Sequence, residues 1–292
     1  MCILFMHLGQ STDGYRLILA NNRDELWDRP TDTAAIRGTA RRWIGGIDVE
    51  PGKEGGTWLG VSENGQLAIL LNILEVQKPD AKGRGFFVPN FLTGEKTVDE
   101  YLADVATEHD LYNPFHLILV DLRYRQFTNQ HKPTLCVKTI TCSHNTEPIT
   151  HSYSDGYVSC DNSRDITKPW KKRSVGEKQF SDIVAAYGSP EHKADLVERL
   201  MGLMNDRVRH LPDLVLAEQF AAVGRSTESE FFKQRAAVSV FSPEVKYGTR
   251  TNTIILVDHT GNCSYIERTL KMPVSVDKPD YSVVELSFKI KV

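Results

Sequence analysis

Cys2 has the most distinctive chemistry in the chain, because removal of Met1 would leave it with both a thiol and a free α-amine. A free thiol titrates near ~8.5 and an α-amine near ~7.7–8.0, so the amine can serve as base for its own side chain near neutral pH. The pair Arg23-Asp24, one predicted strand away, would hold the amine and lower the pKa of the thiol. The alternative is that Cys2 is a small apolar residue of a terminal strand, which is common for cysteine.

Two predicted strands position this chemistry. Residues 2–6 are rich in strand-forming types, residues 11–14 form a turn cluster, and residues 15–20 make a second strand, which together predict a hairpin. The hairpin delivers the polar block 21–25. Polar residues at the solvent-exposed end of a rigid strand often form a binding or catalytic site.

Further polar side chains follow other predicted strands, and we expect them to meet at one site. The set is Cys2, Arg23, Asp24, Asn72 and Asn162, with Arg250 as a further contributor. Asn72 follows the strand 66–72, Asn162 ends the strand 157–162, and Arg250 precedes the strand 253–258. Asn72 has a second interpretation, as a simple turn residue.

Four sequence blocks together resemble the transport-and-Golgi-organisation family, also called the NRDE family after its first motif. The blocks are Met1-Cys2, Asn22-Arg23-Asp24-Glu25, the Glu-Gly-Gly-Thr-Trp-Leu-Gly of residues 54–60, and the Tyr-Gly-Thr-Arg-Thr-Asn-Thr of residues 247–253. The resemblance covers essentially the whole chain. It implies a branch of the N-terminal-nucleophile hydrolase fold, near the cysteine amidases that cleave penicillin V and bile-salt amides.

The resemblance also implies roles for the site residues. Cys2 would be the nucleophile with its own α-amine as base, Asp24 would orient that amine, and Arg23 and Arg250 would supply positive charge. The arginine and aspartate are adjacent here, whereas the bile-salt and penicillin enzymes space them apart. Which of the two side chains faces the site is therefore open.

The same carry-over gives the two asparagines a role at the reacting carbonyl. Asn72 and Asn162 would donate hydrogen bonds to the oxyanion of a tetrahedral intermediate, each such donor being worth ~3 kcal/mol. Trp58 follows two glycines and would line the site, although a tryptophan in a strand is more often part of the core.

Two functions follow, and the resemblance favours the first. Members of the family are implicated in heme mobilisation and lipid homeostasis, which predicts trafficking of heme or a similar amphipathic ligand, such as an acyl compound. Trp58, Arg23 and Arg250 would bind that ligand, and no other cofactor is required. The sequence contains no Cys-x-x-Cys-His attachment motif, so any heme would be held reversibly. The second function is a cysteine amidohydrolase or thioesterase that uses Cys2.

Composition indicates an ordinary soluble protein. The chain has 292 residues, 40% hydrophobic and 25% charged, with a net charge of −3 that gives no electrostatic case for nucleic-acid binding. Five widely separated cysteines without zinc-site spacing predict reduced thiols and no metal site. We see no signal peptide and no transmembrane run. The cytosol is expected, and association with mitochondria or the Golgi is left to the family resemblance.

The order of elements predicts an α+β fold. Hairpins come first, amphipathic helices over residues 174–188, 191–206 and 212–222 follow, and hairpins return at the end. Residues 86–105 indicate one or two further helices, residues 31–52 read as irregular with turns at Gly45-Gly46, and residues 122–156 are expected to hold short strands and loops. One domain over residues 1–292 is expected. The resemblance adds an N-terminal-nucleophile-hydrolase-like αββα sandwich of antiparallel sheets flanked by helices.

Overall fold

The computed structural model describes residues 2–11, 13–123 and 135–291. Met1 and residues 124–134 of the segment predicted to hold short strands and loops lie outside these ranges. The strands, in chain order, are β1 (Ile3–Leu8), β2 (Tyr15–Leu26), β3 (Thr31–Arg37), β4 (Trp43–Asp48), β5 (Leu59–Ser62), β6 (Gln66–Asn72), β7 (Phe115–Asp121), β8 (Cys136–Cys142), β9 (Ile149–Tyr153), β10 (Gly156–Cys160), β11 (Phe241–Ser242), β12 (Tyr247–Asp258), β13 (Asn262–Leu270) and β14 (Tyr281–Lys289). The helices are α1 (Phe87–Thr93), α2 (Val98–Glu108), α3 (Lys171–Tyr187), α4 (Lys193–Met204), α5 (Leu214–Ala222) and α6 (Glu230–Arg235).

Two antiparallel sheets lie face to face. The first runs in the order β10-β1-β2-β12-β13-β14, with β11 paired to β12, and the second runs β3 to β9 in sequence order. Helices α3 and α4 pack on the outer face of the first sheet, and α1 and α2 pack on the second. The layer order is therefore helix, sheet, sheet, helix, and the predicted α+β sandwich is confirmed.

The period of two along a strand explains why each sheet needs a cover on both faces. In β1, Leu4 and Met6 enter the core between the sheets, whereas Ile3 and Phe5 join the cluster under α3 and α4. Burial of an aliphatic or aromatic side chain contributes roughly 1.5–3 kcal/mol, so both faces of β1 stabilise the fold. Strand β1 is consequently central in its sheet and buried on both faces.

The helices form for local reasons that the sequence carries. Thr97 and Glu100 make a reciprocal capping box at the start of α2, and the apolar face of α4 buries Leu196, Leu200 and Leu203. The predictions over residues 86–105, 174–188, 191–206 and 212–222 each match helices. Short α6 and the two-residue strand β11 were not predicted, because neither is long enough to show a period.

The prediction of an irregular segment at residues 31–52 was wrong. It holds β3 and β4, and Gly45-Gly46 lies within β4 rather than in a turn. A β-carbon at Gly46 would lie 2.7 Å from Cη2 of Trp58, so glycine is needed there to admit the indole ring. The glycines that suggested a turn mark close packing instead.

The polar block 21–25 also differs from its prediction. It does not follow the end of β2 but lies inside it. Asn21 and Asn22 pair with β1 on one side, and the whole block pairs with β12 on the other. Asn21, Asn22, Arg23 and Asp24 are buried. The polar block is thus part of the buried centre of the first sheet.

Across the part of the chain that the structure describes, no helix combines the length and the apolar character needed to cross a membrane.

Candidate active site

Cys2 stands immediately before β1, in the core between the two sheets, and is 9% exposed. Its thiol accepts a hydrogen bond from the backbone N–H of Asp24. Burial raises the pKa of the Cys2 thiol, the charge of Asp24 raises it further, and the Asp24 N–H and the charge of Arg23 lower it. The Cys2 thiol is therefore held by the NRDE block but is not activated by its surroundings alone.

Arg23 and Cys2 share the space between the sheets. The register pairs Ile3 with Asn22, so Cys2 lies level with Arg23 one step further along. The guanidinium carbon of Arg23 is 4.2 Å from the ring centroid of Trp58, and Nη1 donates to Oγ1 of Thr31 at 3.2 Å. Burial lowers the pKa of Arg23, and Glu25 and Cys2 act against that shift.

Asp24 belongs to the opposite face of β2. Strand alternation turns it toward the helical layer, and its Oδ1 accepts a hydrogen bond from Oγ1 of Thr249 at 2.6 Å. The question of which member of the pair faces the site is answered by this alternation. Arg23 lies on the thiol side, while Asp24 reaches Cys2 through its backbone N–H and its charge.

Asn162 lies level with Cys2 on the neighbouring strand. The register pairs Leu4 with Cys160, which places Asn162 opposite Cys2 when it is continued past the end of β10. Asn162 is fully buried; its Nδ2 donates to the carbonyl of Asn72, and within the described residues its Oδ1 has no hydrogen-bond partner. The atom of this amide that has no partner among the described residues is therefore its acceptor oxygen.

Only the backbone of Asn72 contributes to the site. Leu71 faces the core between the sheets, and Leu70 faces the outer cluster beneath α1 and α2, so alternation turns Asn72 to that outer side. Its side chain is exposed, and its carbonyl anchors Asn162. The geometry does not support the expected oxyanion contact from the Asn72 side chain.

Arg250 forms part of a β-bulge between the pairs Thr249–Asp24 and Thr251–Arg23. Its Nη1 donates to the carbonyl of Leu26 at 3.4 Å and to the carbonyl of Arg29. Burial and the charge of Arg23 lower the pKa of Arg250 to about 10. It therefore contributes charge near Arg23, and its hydrogen bonds secure the chain that leaves β2.

Two of the block's remaining residues are structural. Asn22 donates to the carbonyls of Met204 and Val238 and accepts a hydrogen bond from Asn252 at 2.7 Å, which ties β2 to the end of α4. Glu25 lies 3.6 Å from Arg29 and 4.0 Å from Arg23. These contacts explain the polar character of the block without a ligand.

The start of α3 adds charged residues that the sequence did not reveal. A basic run such as residues 168–173 is usually a solvated helix start, but Trp170, Lys172 and Arg173 are buried here. Lys172 is 0% exposed and is under the electrostatic influence of Cys2, Asp24 and Asp161. The missed signal was the combination of a tryptophan with three basic residues, which is unusual for a surface.

Arg235 of α6 is a further buried cation that is under the electrostatic influence of Asp24. Its guanidinium carbon lies 4.1 Å from the ring centroid of Phe231 and 4.7 Å from that of Tyr247. Burial and the charge of Arg225 lower the pKa of Arg235 to about 9, whereas the charge of Asp24 raises it. The charge of Asp24 thus acts on both Lys172 and Arg235.

Glu267 completes the charged groups between the sheets. Its Oε1 accepts a hydrogen bond from the Ala34 backbone at 2.7 Å, and burial raises its pKa although Arg23 lowers it. Within the described ranges, no group of three or more histidine, cysteine, aspartate or glutamate side chains could hold a metal ion.

Two open surface cavities, of about 330 and 290 Å³, do not involve this site. Arg41, Gln66 and Arg123 help to line the first, and Arg207 and Phe241 help to line the second. Neither is lined by Cys2 or by any residue predicted with it.

Comparison with known proteins places these residues in a family context. A family profile described as Transport and Golgi organisation 2 matches residues 1–272. The Transport and Golgi organization 2 homolog of Mus musculus is 36% identical over 280 residues, covering 92% of this chain and 93% of the relative. The homolog of Homo sapiens is 36% identical over the same length, and the protein of Drosophila melanogaster is 29% identical over 279 residues.

Solved structures give a more distant likeness. Two crystal structures of variants of a conjugated bile acid hydrolase from Clostridium perfringens align over 99% of this chain and 98% of theirs. The TM-scores are 0.43 and 0.42, and the sequence identity is 12% in both. A likeness at that level carries no conclusion about activity.

Proposed function

The chain belongs to the Transport and Golgi organisation 2 family, and from that premise we propose that it is a cysteine-dependent hydrolase of amide or thioester bonds. The supporting observation is the placement of Cys2, whose thiol accepts the Asp24 N–H beside Arg23 and level with Asn162. A nucleophile, a buried cation and an amide donor are the groups that acyl transfer requires.

The proposed hydrolysis has two steps, acylation of Cys2 and hydrolysis of the acyl-enzyme. The Cys2 thiol gives its proton to a base, which is its own α-amine once Met1 has been removed, and its sulfur attacks the substrate carbonyl. Collapse of the tetrahedral intermediate breaks the C–N or C–S bond, and the departing amine or thiol takes that proton. Water then attacks the acyl-thioester, releasing a carboxylic acid and restoring the thiol.

Substitution of Cys2 tests this proposal. Cys2→Ala and Cys2→Ser should abolish turnover of a panel of N-acyl amides and acyl thioesters of short to long chain. Cys263→Ala is the matched control, since Cys263 is a buried free thiol of the same core cluster and is not part of the site. Intact mass of the protein from its native host would establish whether Met1 is removed.

Equal activity of the wild-type protein and the Cys2→Ala variant would contradict the hydrolase proposal. If the wild-type protein has lost Met1 and shows the same rates as Cys2→Ala on every substrate, Cys2 is not a nucleophile. Mass spectrometry after mixing with an activated acyl ester provides a second criterion, because a nucleophilic Cys2 would carry the acyl group and the alanine variant would not.

A second candidate is trafficking of heme or a similar amphipathic ligand. The stacking of Arg23 on Trp58 combines a cation that suits a carboxylate with a flat apolar surface. Arg23 and Arg250 are buried, so heme could reach them only if the site opened. Titration of heme into the wild-type protein, followed by absorbance, should give a saturable spectrum that weakens in Arg23→Gln.

Absence of a saturable spectrum in the wild-type protein would remove direct heme binding. An unchanged affinity in a folded Arg23→Gln protein would remove Arg23 from that role. Residence in the cytosol with association to mitochondria or the Golgi also stays a prediction, which imaging of the tagged protein in its native host would test.

A further inference from the structure

The second surface cavity, of about 290 Å³, has a lining that is rich in hydrogen-bond donors. Its polar lining residues are Arg207, Arg209, Gln234 and Ser239, and Phe241 supplies an aromatic ring. Arginine, glutamine and serine side chains can all donate hydrogen bonds, and none of the described residues that line the cavity carries a carboxylate. The cavity therefore has the composition of an anion site.

Arg207 is the cation of this cavity whose charge is not paired. Its guanidinium carbon lies 4.2 Å from the ring centroid of Phe241, and that ring packs against Trp27 with 5.2 Å between centroids. Within the described ranges, Arg207 makes no ion pair and no side-chain hydrogen bond. A guanidinium that stacks through its face keeps the N–H donors of its edge available, so Arg207 is oriented but not neutralised.

The other polar side chains of the lining are only partly engaged. Nη2 of Arg209 lies 2.5 Å from Oε1 of Glu230, but both side chains are nearly half exposed, and such a pair contributes little. Oε1 of Gln234 is buried and has no hydrogen-bond partner among the described residues. The hydroxyl of Ser239 also makes no hydrogen bond to any described group. The lining thus has hydrogen-bonding capacity that the described part of the chain does not use.

The walls of the cavity are held in place by backbone hydrogen bonds. The N–H of Ser239 donates to the carbonyl of Asp206 at 2.8 Å, and the N–H of His210 donates to the carbonyl of Ala236 at 3.0 Å. These two hydrogen bonds pair the chain segment that carries both arginines with the segment that carries Ser239. Because the walls are already ordered, a ligand would bind with little conformational cost.

The first cavity also contains basic residues but does not offer the same chemistry. Nη2 of Arg41 lies 2.6 Å from Glu95, and Arg123 donates to both carboxylate oxygens of Asp121 at 2.8 Å. Glu95 is itself part of the lining. An anion entering the first cavity would have to compete with these carboxylates, whereas one entering the second would find Arg207 unpaired.

We propose that the second cavity binds a small oxyanion, the phosphate or carboxylate group of a compact ligand, with Arg207 as its main contact. Arginine suits both groups because its planar fork of N–H donors matches two oxygens. The volume lies at the lower end of those that hold small-molecule ligands, so the ligand is compact. This site is separate from Cys2 and does not depend on the proposed hydrolysis.

Isothermal titration calorimetry of the full chain with inorganic phosphate and with malonate, each at constant ionic strength, tests the proposal. We expect saturable binding of at least one of the two anions, with one site per chain. Arg207→Gln should weaken that binding about tenfold or more, because charge-assisted hydrogen bonds are lost. Binding of phosphate alone would identify the ligand as a phosphoryl compound, and binding of malonate alone would identify it as a carboxylate.

Arg199→Gln is the matched control, since Arg199 is also an exposed arginine that stacks on an aromatic ring, with its guanidinium carbon 5.6 Å from the ring centroid of Tyr187. It does not line the cavity, and its variant should keep the wild-type affinity. Equal losses in Arg199→Gln and Arg207→Gln would overturn the proposal, because binding would then follow net charge alone.

Three further outcomes would also overturn the proposal. The first is absence of saturable binding with both anions, and the second is unchanged affinity in Arg207→Gln. The third is loss of binding in Arg41→Gln with wild-type affinity in Arg207→Gln, which would place the anion in the first cavity.

Discussion

At the scale of single residues, Arg250 shows how a predicted ligand contact can turn out to be a structural one. Its guanidinium donates to the carbonyls of Leu26 and Arg29, which fixes the chain between β2 and β3. Both hydrogen bonds come from Nη1, and the ammonium of lysine, a compact charge on a flexible stem, does not hold a donor in the same place.

We therefore expect Arg250→Lys to lower the free energy of unfolding by about 0.5–1.5 kcal/mol, because the hydrogen bonds to the part-buried carbonyls of Leu26 and Arg29 are weakened. Urea denaturation would measure it. Arg42→Lys is a suitable control, since Arg42 is 46% exposed and its ion pair with Glu63 is expected to contribute little. Equal effects in the two variants would show that the Arg250 hydrogen bonds do not stabilise the fold.

The residues of the site were easier to predict than their orientation. The strand register places Cys2, Arg23 and Asn162 level with one another on neighbouring strands, and their residue types are visible in the chain, whereas the alternation that turns Asp24 to the other face of β2 is not. The exposure of Asn72 depends on which alternate residues of β6 face the core between the sheets. The burial of Lys172 depends on how α3 packs on the first sheet. Neither depends on local sequence, so neither could be predicted from it.

At the scale of elements, the β4 strand shows how an aromatic ring can determine backbone composition. The β-carbon of an alanine at position 46 would lie 2.7 Å from Cη2 of Trp58 and 3.0 Å from the carbonyl oxygen of Asp32. The ring cannot retreat freely, because Arg23 stacks on it.

Gly46→Ala should accordingly lower the free energy of unfolding by about 1–3 kcal/mol through overpacking. Gly202→Ala in α4 is the informative control, because nothing lies within 4 Å of its β-carbon and alanine favours a helix by about 1 kcal/mol over glycine. Thermal melts should therefore shift in opposite directions. A Gly46→Ala protein as stable as the wild type would show that Trp58 can be displaced cheaply.

Strands and helices with a clear hydrophobic period were predicted correctly. Strands whose residues are determined by contacts with neighbouring elements were not. The apolar strand at β7 and the amphipathic α4 have their own patterns. Strands β3 and β4 are recognisable only once Trp58 has been placed over Gly46, because glycine alone is a turn signal.

At the scale of the whole molecule, His116 links the two sheets. It lies in β7, accepts a hydrogen bond at Nδ1 from Oγ1 of Thr141, and donates from Nε2 to the carbonyl of Ser163, which follows β10 of the other sheet. A neutral ring satisfies both contacts. Burial lowers the pKa of His116 to about 4.

Acid should therefore weaken the fold through this residue. Below the unfolded-state pKa near ~6.5 the unfolded chain binds a proton that the folded chain refuses until about pH 4, so the free energy of unfolding falls by up to about 3 kcal/mol over that interval. Denaturation curves between pH 7 and pH 4.5 would measure it. His116→Gln should give a shallower dependence, and parallel curves for the two proteins would rule out His116 as a cause.

The order of strands in the first sheet has a consequence for biosynthesis. β2 needs β12 as its second neighbour, and β1 needs β10, yet β12 leaves the ribosome roughly 220 residues after β2, which at ordinary translation speeds is about 10–45 s later. During that wait the apolar N-terminal hairpin and the Cys2 thiol are without their final partners. The nascent hairpin is thus a target for chaperones and oxidants, and a message truncated before β12 yields a chain in which the site never assembles.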